Sequence, residues 1–102
     1  MKLKLLSTVD ESMEFWRGTQ IRLMNHEDMH PDDEFFDYLL TSLPDYPDHM
    51  ILVNITNGSH KAGAVYSSKV SIDKKSNNRI VRLQDLKNAF GRDFAYCHLV
   101  AS

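Results

Sequence analysis

The stretch Met50-Ile51-Leu52-Val53-Asn54-Ile55-Thr56 constrains this chain more than any other part of it. It is nearly continuous in apolar and β-branched side chains, which suit a pleated surface and lose rotamer freedom in a helix. Such a run reads as a central strand buried on much of both faces. A sheet built around it needs cover, and one domain of 102 residues has little core to spare.

The remaining elements are read around that strand. Lys2 to Val9 alternates loosely and is expected to be a strand with Leu3, Leu5 and Val9 on one side and lysines on the wet face. Glu11 to Asn25 reads as a helix: Met13, Trp16, Leu23 and Met24 fall on one stripe, with Gly18 as a weak point or a break. Thr8 and Glu11 have capping-box spacing. Pro31 suits a first helical position, and Asp32, Asp33 and Glu34 suit a first turn, so a second helix is expected up to Pro44. Phe35, Phe36, Leu39, Leu40 and Leu43 would form its apolar face. Pro44 to Asp48 is a loop by its turn chemistry, and Asn57-Gly58 a turn. Ala64 to Ile72 alternates as a strand, and Lys74 to Asn78 is a polar loop. A short helix is expected over Arg82 to Phe90, with Leu83, Leu86 and Phe90 inward and Gly91 as its stop. Phe94 to Val100 closes the chain as a strand.

The expected order is β-α-α-β-β-α-β. It implies a single α+β domain over residues 1–102, with one four-stranded, mainly antiparallel sheet and helices packed on one face. No repeat, linker or domain boundary is visible. No apolar run approaches the roughly 20 residues of a membrane span, and the first residues do not read as a signal peptide. A lone Cys97 cannot form an internal disulfide, which fits a cytoplasmic setting.

One motif invites a metal. His26-Glu27-Asp28-Met29-His30 fits H-E-x-x-H and resembles the zinc-metalloprotease signature, which implies a zinc ion on His26 and His30 with Glu27 as base. Proline at position 31 pushes His30 out of the helical region, which separates the two imidazoles. Glu34, His49, His60 and His98 are candidate third ligands without diagnostic spacing. The sequence therefore favours a polar loop here, with no cofactor and no enzyme activity; a small metal-dependent hydrolase is the alternative. Cys97 and His98, as strand neighbours, point to opposite faces and do not make a nucleophile pair. The scattered glycines form no phosphate loop, and the basic residues Lys74, Lys75, Arg79 and Arg82 lack interleaved aromatics for nucleic acid.

Charge is more informative. The formal net charge is −2, but it is unevenly placed. Residues 10–50 hold eleven acids against Arg17 and Arg22, a net of −9, whereas residues 51–102 carry a net of +5. Asymmetry of this kind speaks to partners more than to fold. The candidate partner-binding residues are Glu27, Asp28, Asp32, Asp33, Glu34, Asp37, Asp45, Tyr46 and Asp48. Tyr46 is an aromatic among acids, as at an interface receiving a cationic surface; packing over the core edge is its structural alternative.

By size and charge, and by no motif, the chain resembles the small immunity proteins that bacteria make against toxic effector domains. The resemblance implies a cytoplasmic inhibitor whose acidic surface fills the cleft of a basic toxin or nuclease domain, with carboxylates where substrate phosphates would lie. It implies no membrane and no direct nucleic-acid contact, and a monomer or weak dimer. A structural or regulatory domain that oligomerises through its C-terminal strand is the third reading.

Overall fold

The computed structural model describes residues 2–26, 34–42, 49–56, 65–69, 71–72 and 79–101, with 65–69 and 71–72 described through their backbone. Strands dominate: β1 (Lys2–Leu5), β2 (Glu14–Phe15), β3 (Gln20–Met24), β4 (Phe35–Ser42), β5 (His49–Asn54), β6 (Val65–Lys69), β7 (Ser71–Ile72), β8 (Arg79–Arg82) and β9 (Cys97–Ala101). The α-helix among the described residues is α1 (Leu83–Phe90), and 3-10 helices cover Leu6–Thr8 and Gly91–Tyr96. Six strands form one sheet in the order β1-β9-β3-β4-β5-β6, and β2-β8-β7 form a smaller one. Neighbouring strands run antiparallel throughout.

This corrects the expected fold. The four-stranded α+β sheet in the order β-α-α-β-β-α-β is replaced by a mostly-β domain with, among the described residues, one short α-helix. The helix expected over 11–25 is a turn, β2, a second turn and β3. Gly18 is the break: it sits at φ 97°, a backbone conformation that side chains with a Cβ rarely adopt. Beyond it, Ile21 and Leu23 are buried while Gln20, Arg22 and Met24 alternate toward the other face. Met13 and Trp16, expected on a buried stripe, are exposed at 40% and 41%.

The helix expected from Pro31 to Leu43 is β4 where it is described. Tyr38 and Leu40 are buried at period two, and β4 pairs along its length with β3 and β5. The first strand is also shorter than expected, because the chain turns at Leu6, which is fully buried. Residues Lys2, Leu3 and Lys4 on β1 are all exposed, as befits an outer strand. The last strand begins at Cys97, and β9 lies between β1 and β3, so it offers no free edge for self-association. The loops expected at 44–48 and 74–78 and the turn at Asn57-Gly58 lie outside the described residues.

β5 and α1 match their sequence signals. Met50 and Leu52 are fully buried, with β5 between β4 and β6. α1 turns Leu83, Leu86 and Phe90 inward, the Arg82 N–H is accepted by Asp85 Oδ2 at 2.9 Å, and Gly91 ends it at φ 58°. Sheet and helix share one core. The Tyr38 and Phe90 rings meet edge to face at 5.6 Å, amid Leu6, Phe15, Leu52 and Leu86. Strand alternation puts Arg22, Asp37, Leu39, Ile51 and Val53 on the opposite, outer face of the large sheet, where each is half-buried.

Candidate functional site

The acidic candidates converge on β4, so its start is the place to build from. β3 ends at Met24, and Asn25 donates its N–H to the Glu34 carbonyl at 3.0 Å, joining the two sides of the β3–β4 connection. His26 follows and is withdrawn from solvent, its side chain only 4% exposed. Its ring stacks on Tyr96 at 4.4 Å with 12° between planes, and Nε2 lies 3.2 Å from Asp93 Oδ1. The flat imidazole buries its faces against an aromatic while its polar edge meets a carboxylate. The connection between β3 and β4 is thereby fastened to the 3-10 helix Gly91–Tyr96.

This arrangement bears directly on the H-E-x-x-H reading. His26 follows a strand rather than occupying a helix, so the helical face that would carry two imidazoles is absent at its first ligand. His30 and His60 lie outside the described residues. His49 is exposed on β5, and His98 Nδ1 lies 3.2 Å from the Tyr96 carbonyl. Among the described residues no three His, Cys, Asp or Glu side chains gather where a metal could be held. Cys97 is fully buried on the core side of β9 while His98 faces away, as the strand argument requires.

Of the nine acidic or aromatic candidates, the structure describes Glu34 and Asp37; Glu27, Asp28, Asp32, Asp33, Asp45, Tyr46 and Asp48 lie outside the described residues. Glu34 is exposed. Asp37 is not free for a partner. It accepts from Arg22 Nε at 2.8 Å and from Nη2 at 3.0 Å, with the two side chains 15% and 14% exposed. Its backbone N–H donates to Thr56 Oγ1, and its carbonyl accepts from the Ile55 N–H. The carboxylate raises Arg22 further above its ordinary, already high pKa, and the guanidinium also sits 3.8 Å over the Phe35 ring. Asp37 therefore belongs to the framework.

Two consequences follow for the charge argument. First, the fold mixes the acidic and basic parts of the chain where it is described: β9 inserts between β1 and β3, and Glu14 on β2 faces Arg82 on β8 at 3.8 Å. Second, the remaining candidates attach at two places. Residues 27–33 are bounded by His26 and Glu34 at the start of β4, and residues 43–48 by Ser42 and His49 at its other end. A strand of that length sets those ends roughly 24 Å apart.

Three partners that matter, Arg22, Asp93 and Tyr96, were missed in the sequence. Arg22 had its signal in the alternation of Gln20 to Met24, which opposes it to a strand residue on the same face. Asp93 with Tyr96 had none, because their meeting with His26 is made by tertiary structure alone. No protein-family model, curated protein or solved structure matches this chain. Among the described residues no helix is long and apolar enough to cross a membrane.

Proposed function

We propose that this chain is a protein-binding inhibitor that presents the acidic run Glu27–Glu34 to a basic partner. The reading rests on one observation. Glu27, Asp28, Asp32, Asp33 and Glu34 fall within eight residues that hold no Lys or Arg, and this run springs from a point that the fold fastens on both sides. Several acids elsewhere have structural work: Asp37 with Arg22, Asp85 with the Arg82 N–H, Asp10 with Ser12. Five carboxylates in a run with no Lys or Arg of its own favour encounter with a cationic cleft, an attraction that salt screens.

The partner class is a basic toxin or nuclease domain, whose phosphate-binding cleft such a run fills by charge mimicry. An immunity role in the cytoplasm of a bacterium is part of this proposal. Asp45, Tyr46 and Asp48 join the contact in a lesser way, since they attach at the far end of β4, and Asp37 drops out of it.

The test begins with the wild-type protein as bait in a lysate of its source cells. It then compares the purified partner's affinity for wild type and for a variant with Glu27→Gln, Asp28→Asn, Asp32→Asn, Asp33→Asn and Glu34→Gln. A basic partner that the wild type silences, and the variant does not, supports the reading. A partner held equally by both removes it.

A further inference from the structure

A second feature lies away from β4. A groove of about 430 Å³ opens between the 3-10 helix Leu6–Thr8, α1 and the 3-10 helix Gly91–Tyr96. Its volume lies within the range of small-molecule sites. Val9, Leu83 and Phe94 supply a buried apolar floor. Lys87 stands one helical turn beyond Leu83 on the same side of α1, and Arg82 adjoins at the start of the helix. Arg82 is partly engaged, 3.8 Å from Glu14. Lys87 is exposed and has no ion-pair partner among the described residues. Glu11 is the one acid of the lining among the described residues.

We infer that this groove is a binding site for a small amphipathic carboxylate, its apolar body on Val9, Leu83 and Phe94 and its anionic head toward Lys87 and Arg82. The floor alone favours any apolar body, through the area it removes from water. With Arg82 partly taken by Glu14, the sign of the head group is selected chiefly by Lys87. A cationic amphiphile would put its charge beside Lys87 and Arg82, and a neutral one would leave Lys87 without a countercharge. The site does not depend on the acidic run or on the inhibitor reading, since none of its lining residues belongs to that run.

The experiment uses 2-naphthoate and its neutral counterpart 2-naphthalenemethanol, each titrated into the ¹⁵N-labelled full chain. The expected result is saturable shifts at the amides of Ser7, Val9, Leu83, Gln84 and Phe94, with naphthoate binding more tightly than the alcohol. Lys87→Glu, at an exposed position, is expected to weaken naphthoate about fivefold and leave the alcohol unchanged, the size of an exposed charge contact. Phe94→Leu, which trims the aromatic part of the floor, weakens both. Shifts centred elsewhere, no saturation, or equal binding of acid and alcohol to wild type and Lys87→Glu would overturn the assignment.

Discussion

The Arg22 guanidinium grips the Asp37 carboxylate across β3 and β4 through two hydrogen bonds, at 2.8 and 3.0 Å. The pair sits on directly opposed residues of the two strands, largely shielded from water, with Phe35 beneath the guanidinium. Two charge-assisted bonds in fixed geometry are worth more than an exposed pair, and removing one partner strands the other. Arg22→Ala, Asp37→Asn and the double variant, followed by urea unfolding, are expected to give a coupling of about 2 kcal/mol. A coupling below about 0.5 kcal/mol would reduce the pair to ordinary surface chemistry. Because Asp37 serves the framework, Asp37→Asn is expected to cost stability and to leave the salt dependence of partner binding unchanged.

Asp10 gives the fold a pH signature. Its carboxylate accepts from the Ser12 N–H at 2.9 Å and the Ser12 hydroxyl at 2.8 Å, which hold its pKa below the ordinary value, backbone bond first, with Lys4 helping. A carboxyl whose pKa is lowered by folding adds stability above its unfolded pKa and loses it as the pH falls through the folded one. Asp10→Asn is therefore expected to unfold at lower urea than wild type at pH 7. The difference should vanish once both carboxyl states are protonated in strong acid. An Asp10→Asn deficit that persists unchanged at low pH would assign the effect to the turn rather than to the charge.

Cys97 is fully buried, and its Sγ–H donates to the Asp93 carbonyl at 3.4 Å. Burial first, and the nearby Asp93 charge second, push the thiol far above its ordinary pKa, so thiolate is scarce at neutral pH. Native protein is expected to react with a disulfide reagent on the order of a hundredfold more slowly than unfolded chain. Equal rates would place Cys97 at the surface.

Gly18 at φ 97° separates β2 from β3, and its N–H donates to the Leu40 carbonyl at 2.8 Å. A Cβ added there meets nothing within 4 Å, so the penalty of Gly18→Ala comes from the backbone alone. The expected loss is about 1–2 kcal/mol in the midpoint-derived unfolding free energy. A neutral substitution would mean the turn relaxes to a negative φ.

Local signals and long-range pairing explain where the sequence was legible. α1 was readable because its apolar spacing, Asp85 near its start and Gly91 at its end are all local. β5 was readable because a β-branched run of that length has few other uses. β4 misled because Phe35, Phe36, Leu39 and Leu40 satisfy helical spacing, while Phe36, Tyr38 and Leu40 satisfy strand spacing equally well. The tie was broken by partners distant in sequence, Ile21 opposite Tyr38 and Leu40 opposite Leu52. Period alone does not separate such cases. β3 misled for a different reason: a helical stripe drawn from Met13 to Met24 ran through Gly18, and the alternation of Ile21 and Leu23 beyond it was the better guide. The candidate site was legible as a run of acids. It was not legible which acid the fold would claim, because the pairing of Asp37 with Arg22 depends on strand register.

The central claim, that the run Glu27–Glu34 carries recognition of a basic partner, is tested most directly by titration calorimetry. The captured partner is titrated into wild type and into the variant neutralised at Glu27, Asp28, Asp32, Asp33 and Glu34, each at low and at high salt. The predicted result is affinity that falls steeply with salt for wild type, and a variant weakened by about a hundredfold or more whose residual binding is nearly flat in salt. Equal affinity and equal salt dependence for the two proteins would contradict the account.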